Sequence, residues 1–171
     1  MKRSILALAL LALCFACPAY AQEAAGGDHL VQLIKDNGEG NNLKRIIYRS
    51  VMADDAYKAA VARMGDFDAQ DVTVQQIDAM LPAYQDQWNR NLAASFLDYF
   101  TPDEVESILK DGPASPYSYR YQVQRENISK AMDARSHDLV MQFIAEVEAK
   151  ILVATPPSGN TSPSNGAQVS D

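Results

Sequence analysis

Cysteine and histidine are scarce in this chain of 171 residues, which contains two of each. Both cysteines, Cys14 and Cys17, lie in the first 21 residues, a segment that we expect to be removed. Without them the chain can form no disulfide bond, thiolate metal site or cysteine nucleophile. The packing of side chains must then hold the fold together.

Strand patterns and catalytic motifs are also missing. No alternating run rich in Val, Ile and Thr is bounded by turn residues, and no hairpin dipeptide joins two such runs. The sequence has no glycine-rich phosphate loop, no Gly-x-Ser-x-Gly motif and no nucleophile with an evident base. We therefore predict no catalytic, cofactor-binding or metal-ligating residues and no cofactor, and a non-enzymatic protein is favoured.

The N-terminus has the three parts of a bacterial signal peptide. Basic residues follow Met1, an apolar run covers Ile5–Ala16, and an Ala-x-Ala site ends at Ala21. The run of about 12 residues is well short of the roughly 20 that span a membrane. This pattern predicts cleavage between Ala21 and Gln22, a periplasmic or extracellular location, and no stable membrane insertion after cleavage.

Two other interpretations of this leader are possible. The apolar run could stay attached as an anchor, although it is short for that role. Lipid attachment at Cys14 or Cys17 is the second, but Cys14 follows the large Leu13, and Cys17 has Cys14 where an aliphatic residue is usual. The Ala-x-Ala site is favoured over both.

Acidic residues exceed basic ones, 22 to 15, for a net charge of −7. Removal of Lys2 and Arg3 with the leader would make the net charge −9, because all acidic residues lie after it. An acidic exported protein is a poor partner for nucleic acid or anionic lipid. We therefore expect a protein partner or an apolar ligand, and no nucleic acid.

Composition divides the rest of the chain into three parts. Residues 22–27 are predicted to form a short flexible lead-in before the domain. Residues 154–171 are rich in Pro, Ser, Gly and Asn, which predicts a disordered tail. Residues 28–153 are long enough for one compact domain.

Apolar residues in this domain recur at spacings of three and four, which is typical of helices. The first two predicted helices cover 28–35 and 43–64. Asn42 is the expected N-cap of the second helix, and Gly65 is its expected C-cap.

Three further segments have helical patterns. One begins near Thr73 and is kinked or divided at Pro82. Residues 101–104 (Thr-Pro-Asp-Glu) form a capping box that starts a helix ending near Asp111. The last helix runs from about Pro116 to Leu152. The sequence thus predicts an all-α, single-domain bundle of about five or six helices with a long C-terminal helix.

Part of the C-terminal half resembles a known family. The segments 100–105 (Phe-Thr-Pro-Asp-Glu-Val) and 115–120 (Ser-Pro-Tyr-Ser-Tyr-Arg) are similar to motifs of the domain of unknown function 2059 family, over residues 90–152. The turn around Asp111–Ser118 departs from the family pattern, because Asp111 and Gly112 replace Phe-Tyr and Ser118 replaces glycine. The resemblance implies a small exported bacterial helical protein whose activity is unassigned.

Two clusters of polar residues suggest metal sites, and neither completes one. Asp133 and His137 are one helical turn apart, but zinc needs three or four ligands. Residues 66–71 place oxygen ligands as a calcium loop does, yet Asp71 replaces its glycine and Ile77 its final glutamate. We interpret residues 66–71 as an acidic connector between helices.

Aromatic residues are concentrated at the start of the last helix. Tyr117 and Tyr121 belong to its apolar stripe, whereas Tyr119 and Arg120 lie off it. Core packing is the simpler interpretation of this cluster. The functional interpretation is a partly exposed aromatic groove in which Tyr119 and Arg120 contact a partner.

The sequence supports three hypotheses for function. The first is a non-catalytic protein-interaction module of the cell envelope. The second is a carrier of an apolar small molecule or lipid in a cavity between helices. The third is a hydrolase whose acid and histidine side chains meet only in the folded protein.

Overall fold

The computed structural model describes the backbone of residues 19–154 and the side chains from residue 27 onward. Six α-helices and no strand occur in this part of the chain, which confirms the all-α fold class. Most of the predicted signal peptide, and the predicted tail beyond Ala154, lie outside the described residues. The helices are α1 (Ala19–Asn37), α2 (Leu43–Ala53), α3 (Asp55–Met64), α4 (Asp66–Leu97), α5 (Pro102–Asp111) and α6 (Ser118–Ala154), with a short 3₁₀ turn at Gly112–Ala114.

Helices α4 and α6 form a long antiparallel pair on which the other helices pack. The ring of Tyr84 stacks on that of Phe143, with centroids 4.3 Å apart. Farther along α4, Asn91 donates to the carbonyl of Arg135, which precedes Phe143 on α6. The two helices therefore run in opposite directions over most of their length.

Two apolar cores lie along this pair. Core 1 joins α2 and α3 to the N-terminal part of α4 and the C-terminal part of α6, and Ile47, Ile77 and Phe143 are fully buried in it. Core 2 joins α1 and α5 to the opposite ends of α4 and α6 around Ile34 and Val105. Leu92 packs against both cores, so that α4 connects them.

Buried amides fix the helices against one another. Asn91 donates to the hydroxyl of Ser136 as well as to α6 backbone, at 3.0 Å each. Gly40, in the α1–α2 loop, lies so close to α4 that a Cβ there would be 1.9 Å from Oδ1 of Asn89. Because the side chains of Asn89 and Asn91 are buried and hydrogen-bonded, these contacts specify one arrangement of the loop and helices.

The predicted helix 43–64 is two helices. Asp54 has extended backbone, with φ −83° and ψ 161°, and its side chain accepts from the amide of Ala56 at 3.0 Å. That bond makes Asp54 the N-cap of α3. The single-helix prediction was wrong because the apolar spacing continues through the break.

The two predicted caps have different outcomes. Asn42 has helical backbone and makes no capping bond, because its Oδ1 accepts instead from Nε1 of Trp88 at 3.1 Å. Gly65 does end α3, at a positive φ of 89°, and it also precedes the first residue of α4.

Helix α4 begins seven residues before Thr73 and continues through Pro82 without division. The acidic connector predicted for residues 66–71 is wrong, because these residues form the first turns of α4. Asp66 and Asp68 favour the positive end of a helix dipole, and Asp66 accepts from the Tyr57 hydroxyl at 3.1 Å. Pro82 is exposed, so its ring lies outside the core.

Helix α1 begins before the predicted start of the domain, whereas helix α6 ends close to its predicted end. Helix α1 includes residues 22–27, where the sequence predicted a flexible lead-in, since Glu23, Ala24 and Ala25 favour helix. The capping box is confirmed, because Thr101 and Glu104 cap each other reciprocally at the start of α5. Helix α6 lies within two residues of its predicted bounds. None of the described helices is long and apolar enough to cross a membrane.

Candidate partner-contact surface

The turn before α6 is built on Ser115. This residue is buried, its hydroxyl lies 2.9 Å from that of Ser107 on α5, and it accepts from the amide of Tyr117 at 3.2 Å. These bonds hold the turn against α5. They fix the direction in which α6 leaves α5.

Arg120 ties the first turn of α6 to the α4–α5 corner. Its guanidinium donates to Oε1 of Glu104 at 2.8 Å and to the carbonyl of Tyr99, and it lies 4.5 Å from the centre of the Phe100 ring. Glu104 also closes the capping box of α5 through its other oxygen, Oε2. Arg120 is thus held by an ion pair and a cation–π contact, and it positions this end of α6.

Tyr119 points away from this network and is 81% exposed. Val123, one turn farther along α6, is 58% exposed, so the two side chains form an apolar pair on the surface. Tyr117 and Tyr121 instead pack against core 2, where Tyr121 stacks on Phe96 with centroids 5.8 Å apart. Burial raises the pKa of the Tyr121 hydroxyl, and the nearby Glu39 adds to the effect.

Trp88 and Phe96, two aromatic residues of α4, belong to the two cores. Trp88, Phe96 and the nearby Phe100 are buried, so these rings stabilise the bundle and are not free to contact a partner. Of the aromatic cluster discussed for function, Tyr119 is the member that is mostly exposed, and Arg120 lies beside it in the structural network described above. Tyr119 and Arg120 are therefore adjacent in sequence, but Tyr119 is exposed and Arg120 is held by contacts with its neighbours.

Asp133 and His137 line a small open hollow of about 250 Å³ between α2, α4 and α6. The other residues around it are Ile46, Trp88, Ser136 and Val140, so no further carboxylate lines it. Across the described chain, no three His, Cys, Asp or Glu side chains are grouped closely enough to hold a metal ion. The hollow therefore does not assemble the acid–histidine site of the hydrolase hypothesis.

A larger open hollow of about 550 Å³, here called the α4–α6 groove, lies between the long helices. It is lined by Ala83, Tyr84, Gln87, Asp138, Leu139, Gln142 and Glu146. Burial and a hydrogen bond to Glu146 raise the pKa of the Tyr84 hydroxyl to about 12. The bonds from Gln142 and Tyr84 to Glu146 lower the pKa of that carboxyl, which favours its charged form.

Sequence reasoning missed Val123 and this groove. The position of Val123 one turn after Tyr119, off the inward stripe, was a signal that could have placed it on the surface. The groove depends on how α4 and α6 align, and nothing local to either helix gives that alignment. The bond between Arg120 and Glu104 joins residues that are 16 apart in the sequence. No local pattern therefore predicts it.

No family model, curated protein or solved structure matches this chain. The resemblance to the domain of unknown function 2059 family therefore stays a prediction from residues 90–152.

Proposed function

We propose that this chain is an exported, non-catalytic protein-interaction module of a bacterial cell envelope, and that it contacts a partner protein around Tyr119. The observation that carries the proposal is the exposure of Tyr119 and Val123 on a helix start held by Arg120. Tyrosine supplies a large contact area at a small entropy cost, and such anchors dominate many protein interfaces. Arg120 acts mainly by positioning Tyr119.

The same proposal includes the cellular location of the protein, which we infer from the predicted signal peptide at residues 1–21. Export would place this acidic domain in the periplasm or outside the cell. Mass spectrometry of the exported protein should identify Gln22 as its first residue. A mature chain that still carries Met1 or a lipidated cysteine would contradict this part of the proposal.

Replacement of Tyr119 tests the contact surface. A photo-reactive amino acid at position 119 should crosslink one reproducible protein in the host, and Tyr119→Ala should weaken that complex about tenfold. Phe67→Ala is a matched control, because Phe67 is 84% exposed at the beginning of α4, far from α6's first turn. This control should leave the complex unchanged.

Two results would overturn the proposal. One is the absence of any reproducible crosslinked protein at position 119. The other is equal weakening by Tyr119→Ala and Phe67→Ala, which would mean that exposed aromatic area alone drives capture. Thermal unfolding of both variants should match that of the original protein, since neither side chain is buried.

A further inference from the structure

A carboxyl oxygen is buried without a partner near the C-terminal end of α6. It is Oε1 of Glu148, which has no hydrogen bond within the described chain. An oxygen in this position has lost its water and gained no bond in return, which is costly when the group is charged. Such an atom needs a physical explanation, and its surroundings supply one.

The charge closest to Glu148 has the same sign. Helices α2, α3 and α4 pack around this end of α6 in core 1, and of their charged groups in the described chain Asp54 alone acts on Glu148. The nearby cations act elsewhere: Lys58 of α3 pairs with Asp55 at 2.7 Å, and Lys150 of α6 acts on the next carboxylate along the helix. Two carboxyl groups without a shared cation favour one charge over two.

Helix α3 is joined to its neighbours by a single residue at each end. Asp54, between α2 and α3, has extended backbone with φ −83° and ψ 161°, and Gly65, between α3 and α4, has a φ of 89°. Single non-helical residues at the ends of an element are where hinge rotations are absorbed. Helix α3 can therefore turn as one piece without unwinding.

The contacts of α3 with α4 and with α6 differ in kind. The hydroxyl of Tyr57 donates to Asp66 at 3.1 Å, which ties α3 to the start of α4. Toward α6, Tyr57 and Ala60 share core 1 with Val147, and Glu148 adds its unpartnered oxygen. The contact with α6 is thus the one that a charge on Glu148 weakens.

We propose that Glu148 and the corner at Asp54 form a proton-dependent latch, which holds α3 against α6 when Glu148 is protonated and lets α3 open more often when Glu148 is charged. Burial, and then the charge of Asp54, raise the pKa of Glu148. The latch is therefore complete at acidic pH and weakens as pH rises through the folded-state pKa. Opening would uncover Tyr57 and Ala60, which are buried in the closed form.

Hydrogen exchange of backbone amides, followed by NMR, measures the opening of α3 directly. After correction for the intrinsic effect of pH on exchange, protection of the hydrogen-bonded amides of α3 should fall by up to about fivefold between pH 4.5 and pH 7.5. Low concentrations of urea should change this exchange little, because a local opening exposes little surface. Amides of α6 around Phe143, in the middle of core 1, should be much more sensitive to urea.

Three variants assign the effect to its residues. Glu148→Gln keeps the size of the side chain and removes its charge, so α3 should be equally protected at both pH values. Asp54→Asn keeps the acceptor for the amide of Ala56, and it should reduce the fall without abolishing it, because burial is the larger cause. Asp138→Asn is the matched control on the same helix, since Asp138 is exposed in the α4–α6 groove, and it should keep the full pH dependence.

Protection of α3 that does not change with pH would overturn the proposal, and so would a fall that persists in Glu148→Gln. Exchange of α3 amides as sensitive to urea as that of core 1 would also overturn it, because the whole domain would then be opening. An unchanged fall in Asp54→Asn would contradict the part assigned to Asp54. Tyr119→Ala should leave the exchange of α3 unchanged, so failure of this proposal is distinguishable from failure of the surface around Tyr119.

Discussion

The carboxyl group of Glu148 faces Asp54, the residue that separates α2 from α3. Its Oε1 is buried and has no hydrogen-bond partner among the described residues. Burial raises the pKa of Glu148, and the charge of Asp54 raises it further. A folded-state pKa above the unfolded value means that Glu148 stabilises the fold fully at low pH and loses this contribution as pH rises through the folded value.

Glu148→Gln should therefore raise the free energy of unfolding at pH 7, by at most about 1 kcal/mol, because it removes a negative charge that partial burial and the neighbouring Asp54 disfavour. Near pH 4 the variant and the original protein should be closer in stability, since Glu148 is then largely protonated in both folded and unfolded chains. Urea unfolding at the two pH values measures the difference. Asp133→Asn, at an exposed position, is the control; an equal gap at both pH values for Glu148→Gln would contradict the assignment.

The sequence predicts the environment of some residues of the candidate surface and not of others. Tyr119 could be placed off the apolar stripe from its position alone, because helical spacing determines which side chains share a face. The role of Arg120 could not be foreseen, because its partners Tyr99, Phe100 and Glu104 belong to another helix and a loop. A contact between elements distant in sequence has no local signal.

At the scale of helices, a capping side chain allowed one boundary to be predicted and failed to reveal another. The start of α5 was predicted because Thr101 and Glu104 form a reciprocal motif at fixed spacing. Asp54 makes a capping bond of the same kind, yet the apolar spacing on either side of it concealed the break. The start of α4 at Asp66 depends on tertiary contacts, including the bond from Gln70 to the Tyr48 hydroxyl at 2.8 Å.

The capping box makes a testable contribution to α5. Thr101→Ala should lower the free energy of unfolding by about 1 kcal/mol, because the amide of Glu104 loses its acceptor. Thr101→Ser keeps the hydroxyl and should cost much less. Chemical denaturation of the two variants measures the difference, and equal losses would indicate that the methyl group of Thr101, and not its hydroxyl, is the stabilising group.

At the scale of the whole molecule, the long antiparallel pair makes the two cores interdependent. Helices α4 and α6 each contribute to both cores, and Leu92 packs against both. The all-α class and the long C-terminal helix could be predicted from spacing and turn residues. The division of the interior into two cores could not, because it arises from the antiparallel alignment of helices whose pairing partners lie about 45 residues apart, as in the bonds of Asn91 to α6.

This interdependence predicts that the described domain unfolds as one unit. Trp88, the single tryptophan, belongs to core 1 and reports on it by fluorescence. Ile34→Val in core 2 should lower stability by about 1 kcal/mol and should shift the fluorescence transition together with the loss of helicity seen by circular dichroism. Ile47→Val, at an equally buried position in core 1, should shift both signals in the same way. If Ile34→Val lowered the midpoint of helix loss while the Trp88 transition stayed in place, the cores would be separate folding units, because destabilising α1 and α5 would then leave α2 and α3 packed on the other ends of α4 and α6.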